Sequence, residues 1–287
     1  MSRYRIANLV LDYKGIDYDF FRMRMNEYAA HNRGRSDVDI FYRSNDNIIL
    51  PKGKVYKRIH RWNWIETDCG GYAAFQKHPI TGECVSLVEM DKDMTKIKIQ
   101  LYNFENEFNI TNERRIFFVA GEFFYYILLK HNGLVFHSSA LDYNNNAILF
   151  SGPSGSGKST HTSLWKKYYK DSTRIINDDT PALRIIDNQF YVFGTPWSGS
   201  TAINQNCVAP LRAIVFIEQN SDNAIRKLSG GQAFTRLLNE TRKSVMPELL
   251  ELSLDFIGKM VREVPIYQLS CNVSEEAVRM VKNELGL

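Results

Sequence analysis

The segment Gly152-Pro153-Ser154-Gly155-Ser156-Gly157-Lys158-Ser159 satisfies every fixed position of the pattern G-x-x-x-x-G-K-[ST]. Glycines at these spacings let successive backbone N–H groups turn inward around phosphate oxygens, and the positive end of a following helix adds to the attraction. The pattern needs a strand before it and a helix after it. The text supplies both, an apolar run Ala147 to Phe150 and a helical pattern from Lys158 to about Tyr169. Gly152, Ser154, Gly155, Ser156, Gly157, Lys158, Ser159 and Thr160 are therefore the residues expected to hold ATP. Lys158 is expected to reach the β- and γ-phosphates and Ser159 to hold Mg²⁺.

Such a loop needs an acidic element on a neighbouring strand to complete its metal site. Ile175-Ile176-Asn177-Asp178-Asp179, placed after the next apolar run, offers adjacent carboxylates that are costly unless a cation shares them. One of Asp178 and Asp179 is expected to coordinate Mg²⁺ while the other accepts the proton of an attacking hydroxyl; the residues alone do not say which. His137, on a strand before the loop, can support that base if it lies within hydrogen-bond reach. Gly194 to Gly199, rich in Gly and Ser around Trp197, reads either as a loop approaching a ligand or as a hairpin turn with a tryptophan in the core. Arg184, Arg212, Arg236 and Arg242 are candidate cations for transition-state charge, with Arg242 preferred.

The elements that must position these groups follow from periodicity. Residues 1 to 110 alternate apolar and polar in short runs, which predicts a mostly antiparallel β-rich N-terminal domain. A helix capped at Thr111 or Asn112 and ended by His131-Asn132-Gly133 connects it (111–132) to a second domain, 133–287. There, strands are predicted at Val135 to Leu141, Ala147 to Phe150, Arg174 to Asn177, in a hairpin near 183 to 194, and at 213 to 217 and 264 to 269. Helices are predicted near 158 to 169, 231 to 243 and 247 to 261, with a last one capped by Ser274. That is an α/β nucleotide-fold layout.

Composition narrows the partners. The chain has 287 residues, 44% hydrophobic and 24% charged, and a net charge of +4 spread as 20 basic and 17 acidic residues up to position 130 and 16 and 15 after it. Neither half is basic enough to indicate nucleic-acid or membrane-surface binding. The longest apolar run, Ile116 to Leu129, is too short to span a bilayer, and four cysteines without regular spacing read as reduced. A cytoplasmic location is the expectation.

His137, the loop Gly152 to Ser159 and the Asp178-Asp179 pair, in that order, resemble the kinase domain of the HPr kinase/phosphorylase family, whose fold is shared with ATP-dependent phosphoenolpyruvate carboxykinase. The resemblance covers about residues 131 to 270. The wording GPSGSGKSTHTSLW, INDD-PAL and GTPWSG is similar to HPr-kinase-like proteins encoded with peptide-modification systems. It implies that the histidine, the lysine and the acidic pair surround a transferred phosphoryl group, with an aspartate as base toward an acceptor serine in a peptide, protein or small molecule. The resembled family tends to form rings, which leaves a homo-oligomer open. The chain departs from true HPr kinases where their glycine- and isoleucine-rich segment would follow the acidic pair. It carries Tyr191 to Gly199 there instead, and its first 110 residues differ from that family's N-terminal domain. HPr itself and a reverse phosphorylase activity are therefore not implied.

The expected activity is ATP- and Mg²⁺-dependent transfer of a phosphoryl group to a hydroxyl, with the N-terminal part recognising the acceptor. Two rivals are an ATP-binding regulatory module without transferase activity and a carboxykinase-like enzyme acting on a small organic acid. Leu228-Ser229-Gly230-Gly231-Gln232 spells a transporter-ATPase signature, but the residues after it are helical where that family needs a strand ending in Asp-Glu, so it reads as a helix start. His60, Cys69, His78 and Cys84 lack the close ligand pairs of a zinc site. The basic and aromatic residues between Lys52 and Trp64 read as a solvated strand face or a peptide-binding strand rather than a nucleic-acid platform.

Overall fold

The computed structural model describes residues 2–31, 34–59, 61–103, 111–242, 244 and 246–287, without the side chains of 57–59. The chain forms two compact units, Met1–Lys130 with Lys243–Glu251, and His131–Arg242 with Leu252–Leu287. It is a mixed α/β protein with a β-rich N-terminal unit and an α/β C-terminal unit.

The first unit contains β1 (Ser2–Ile6), β2 (Leu9–Lys14), α1 (Asp19–Met25), β3 (Val38–Asn45), β4 (Gly53–Ile59), β5 (Trp62–Thr67), β6 (Tyr72–Lys77), β7 (Cys84–Met90), β8 (Lys96–Tyr102) and α2 (Asn112–Lys130). Its strands make one sheet in the order β1-β2-β3-β8-β7-β6-β5-β4. The expected antiparallel arrangement holds for most pairs but not for β2–β3 and β3–β8, which are parallel. For β2–β3 the reason is α1, which alternation did not announce and which carries the chain from the end of β2 back to the start of β3, as a parallel connection requires; β8 reaches β3 only after the chain has crossed to the far edge strand β4 and returned through β5, β6 and β7. The aromatic residues of α2 explain its burial. Phe117 meets Phe20 and Phe21, while Phe123 and Tyr126 meet Trp64 edge-on or tilted, and Trp62 Nε1 donates to Glu122 at 2.9 Å. No described helix is long and apolar enough to cross a membrane. The returning segment 243–251 is tied down by Glu248, which accepts from the Tyr72 hydroxyl and the Lys130 ammonium.

The second unit contains β9 (Gly133–Val135), β10 (Ser138–Tyr143), β11 (Ala147–Ser151), α3 (Lys158–Tyr169), β12 (Thr173–Asn177), β13 (Ala182–Ile186), β14 (Gln189–Phe193), β15 (Val208–Gln219), β16 (Ala224–Lys227) and α4 (Gly230–Asn239). It ends with α5 (Pro247–Glu263, whose first turn lies in the other unit), β17 (Ile266–Cys271) and α6 (Glu275–Glu284). The sheet runs β12-β10-β11-β15-β14-β13-β9, with β17 also beside β15 and β16 beside β17. β11, β15 and β17 are mutually parallel where they pair. Every residue of β11 is buried, the pattern of a strand covered on both faces, and Trp165 of α3 packs against Phe150 and Tyr143. The β10–β11 connection is a two-residue turn through Asn144 and Asn145, both with positive φ, which asparagine tolerates.

One predicted strand is two. Val135 to Leu141 breaks at Phe136-His137, because β9 pairs with β13 while β10 pairs with β11 and β12, so the chain changes arms of the sheet at that point. The helix predicted to reach 243 stops at Asn239 with Glu240 as its C-cap. Its start is as read: Ser229 and Gln232 form a capping box ahead of an ordinary amphipathic helix.

Candidate functional site

β11 delivers the chain into the loop 152–157, and α3 begins at Lys158. Gly152, Gly155 and Gly157 have φ of +140°, +80° and +100°, which L side chains rarely adopt. A Cβ at Gly155 or Gly157 would meet nothing within 4 Å and would project into open space, so these glycines line a cradle that a side chain would fill. Gln219 at the end of β15 donates from Nε2 to the Gly155 carbonyl at 2.8 Å and pins the loop tip. The Lys158 ammonium donates to the carbonyls of Gly152 and Pro153 at 2.8 and 3.1 Å. Burial lowers its pKa, and the charges of Glu240, Asp179 and Asp178 oppose that shift.

The acidic pair leaves β12 through Asn177, which is fully buried and organises the turn from both ends of its amide. Its Oδ1 accepts from the N–H groups of Asp179 and Thr180 at 2.9 and 2.7 Å, an Asx-type turn, while its Nδ2 donates to the carbonyls of Thr195 and Trp197 at 2.9 and 3.1 Å. One buried side chain thus couples the acidic turn to the Gly194–Gly199 loop. Gly199 approaches so closely that a Cβ there would lie 3.1 Å from the Asp179 Cβ and Cγ.

The two aspartates are unequal. Asp178 is buried and its Oδ1 accepts from the Ser139 hydroxyl at 2.7 Å, and that hydroxyl also meets Thr162 at 2.9 Å. Asp179 is 38% exposed and faces His137, with Nε2 to Oδ1 at 3.7 Å. Burial raises the Asp179 carboxyl above its ordinary value, and Asp178 adds to the rise; His137 and Lys158 pull it back. The other ring nitrogen of His137, Nδ1, lies 3.2 Å from Glu240 Oε2.

These groups share one cavity of about 350 Å³. The loop contributes Ser154, Gly155, Gly157, Lys158, Ser159 and Thr160; the far wall is His137, Asp178 and Asp179; Ser198 to Thr201 and Gln219 close it. Of the residues read from the sequence as nucleotide-binding, Gly152 and Ser156 are not part of this lining. They brace the loop from below, where the Ser156 hydroxyl packs 3.0 Å from the place a Gly152 Cβ would take. None of Arg184, Arg212, Arg236 and Arg242 lines the cavity; Arg184 and Arg212 instead donate to the backbone at His131 and Leu285. Ser139, Gln219 and Glu240 had no signal in the sequence, because each acts through a partner distant along the chain, as does the Nδ2 side of Asn177. For a divalent cation, the hard oxygen donors of Ser159, Asp178 and Asp179 fit in type and convergence. Of the alternative metal set, His60 lies outside the described residues, and no cluster of three or more His, Cys, Asp and Glu among the described residues makes a metal site by itself.

The sequence model of a family described as "SynChlorMet cassette protein ScmC" matches residues 117–282, more than half of the chain. The chain belongs to the ScmC family. The ScmC match spans every cavity residue, from His137 to Gln219, and Glu240 as well. Among solved structures, the HPr(Ser) kinase/phosphatase from Coxiella burnetii aligns with 53% of this chain and 92% of its own, at 11% identity and a TM-score of 0.31. No curated protein matches the chain.

Proposed function

We propose that the chain is an ATP- and Mg²⁺-dependent phosphotransferase acting on a hydroxyl, with a serine in a peptide, protein or small molecule as acceptor. The observation that carries this reading is the convergence of Lys158, Asp178, Asp179 and His137 on one polar cavity whose floor is a glycine-rich loop at a helix N-terminus. The acceptor class rests on the likeness of GPSGSGKSTHTSLW, INDD-PAL and GTPWSG to HPr-kinase-like proteins.

The inequality of the aspartates suggests a division of labour. Asp178, anchored by Ser139, would hold the metal together with the Ser159 hydroxyl. Asp179, more exposed and beside an imidazole, is the base that takes the acceptor proton. The deprotonated oxygen forms a bond to the γ-phosphorus as the β–γ bridging bond breaks, and ADP leaves. Lys158 and the loop N–H groups neutralise charge on the transferred group, and a bound Mg²⁺ would supply further charge neutralisation there. The protein's contribution is positioning and charge, which phosphoryl transfer chiefly demands.

The test is transfer from γ-labelled ATP with Mg²⁺ to free serine, small hydroxy compounds and serine peptides, beside Lys158→Ala and Asp179→Asn. A labelled acceptor in the wild type that disappears in both variants establishes the kinase. ATP binding without transfer to any acceptor overturns it in favour of a nucleotide-binding regulatory module.

A further inference from the structure

Glu240 stands outside the cavity lining yet touches the site through His137, and its placement is otherwise unfavourable. It is the C-cap of α4, where the negative end of the helix dipole repels a carboxylate, and its side chain is only 15% exposed. The backbone leaves it no freedom to drift. Its N–H donates to the Arg236 carbonyl at 3.3 Å, and the next residue, Thr241, is buried and bonds back to the Leu237 carbonyl at 2.8 Å. A buried acid at the wrong end of a helix requires compensation; among the described residues its hydrogen-bond partner is His137 Nδ1, and the charge of Lys158 also acts on it.

His137 is equally constrained along its chain. It lies in the break between β9 and β10, where its carbonyl accepts from Ser151 Oγ at 2.8 Å and the following N–H, of Ser138, donates to the Asp179 carbonyl at 3.0 Å. The backbone therefore sets where the ring hangs, and only its side-chain torsions decide which nitrogen faces Asp179. An ionised carboxylate can only accept, so the contact with Glu240 places the proton on Nδ1 and aims Nε2 at Asp179 Oδ1, 3.7 Å away. Nε2 then presents a lone pair, so an ionised Asp179 is linked to it by a water that donates to both, and Nε2 accepts directly only once Asp179 has taken the acceptor's proton.

We propose that Glu240 is a positioning residue that fixes the tautomer and orientation of His137, and through it the placement of the proposed base Asp179. The role rests on the phosphotransferase reading for its effect on turnover, while the effect on the imidazole is independent of any activity. Free neutral histidine favours the Nε2–H tautomer; the carboxylate imposes the other.

The experiment has two arms. Long-range ¹H–¹⁵N correlation spectra of the whole protein, at one pH, report which nitrogen of His137 is protonated. Nδ1–H is expected in the wild type, a shift toward Nε2–H in Glu240→Ala, and return of Nδ1–H in Glu240→Gln, whose amide oxygen can still accept. In the kinetic arm, Glu240→Ala lowers kcat by about tenfold or more, since a mis-aimed group forfeits part of the 10²–10⁴ that acid–base catalysis contributes. Its KM for ATP and its binding of tripolyphosphate stay within about twofold, and Glu240→Gln recovers most of the loss. An unchanged tautomer in Glu240→Ala overturns the proposal, and so does an equal loss in Glu240→Ala and tripolyphosphate binding, which would make the residue merely structural. If Glu240→Ala does not fold, Glu240→Gln decides alone: a tautomer unlike the wild type's, or a kcat as low as that of Asp179→Asn, overturns it. If the wild type transfers phosphate to nothing, the phosphotransferase reading fails while the spectra still decide what holds His137.

Discussion

At the scale of single residues, the site carries charges that the fold would be more stable without. Burial raises the Asp179 carboxyl, so the stability this group contributes is present below the ordinary carboxylate value and is lost as pH rises through the raised one. Asp179→Asn is expected to raise Tm at pH 7 in metal-free buffer, measured by calorimetry, while reducing transfer by about 10²-fold or more. A Tm below the wild type's would show that the links to His137 and Lys158 outweigh burial. His161 has the opposite sign. Packed on Phe150 with its rings 4.6 Å apart, it is held by burial to about 4 against an ordinary 6.5, so its contribution is complete above pH 6.5 and disappears as pH falls toward 4. The total is on the order of 3 kcal/mol. His161→Phe, which removes the titrating group and the buried unpartnered Nε2, is expected to flatten the fall in Tm between pH 6.5 and 4.5.

At the scale of elements, the cavity depends on two connections more than on the strands themselves. Asn177 holds the acidic turn and the Gly194–Gly199 loop together, so Asn177→Ala leaves buried carbonyls and N–H groups unpaired and should cost about 2–3 kcal/mol in denaturant unfolding. Gly199→Ala is a more local perturbation. With φ at +63° and Asp179 3.1 Å from the added methyl, it is expected to displace the carboxylate, reducing kcat at least as much as it reduces stability. These connections also mark the limits of reading the text. The composition of Gly194 to Gly199 left a ligand loop and a plain hairpin equally open, and Trp197 is in fact half-buried while its neighbours Ser198 and Gly199 face the cavity. The glycine-rich loop needed no such help for its shape, because the positive φ of its glycines and the strand and helix beside it are set by consecutive residues.

At the scale of the whole molecule, the chain returns to its first unit at Lys243–Glu251 before completing the second. Met246 and Leu249 are buried there, and Glu248 is tied to Tyr72 and Lys130. A truncated chain of residues 131–287 is therefore expected to expose both apolar side chains and to bind a hydrophobic dye and self-associate. Met246→Lys with Leu249→Lys in that truncated chain should suppress the association. A monodisperse, dye-silent 131–287 without those changes would show that the segment needs no partner from the first unit. Periodicity did not show this return, since 247–261 reads as one ordinary helix.

The sequence by itself determined what could be expressed locally. The strand–loop–helix around Lys158, the acidic turn after β12, the Asn-rich hairpin at 144–145 and the capped starts of α4 and α6 depend on neighbours a few residues apart, and short-range sterics and capping decide them. Tertiary structure alone decided the parallel pairs of β3, the break at His137, the pairing of Ser139 with Asp178, and the reach of Glu240 across about a hundred residues to the imidazole. Those depend on which strands lie side by side, and a one-dimensional pattern of apolar and polar residues records which face of an element is buried without recording against what.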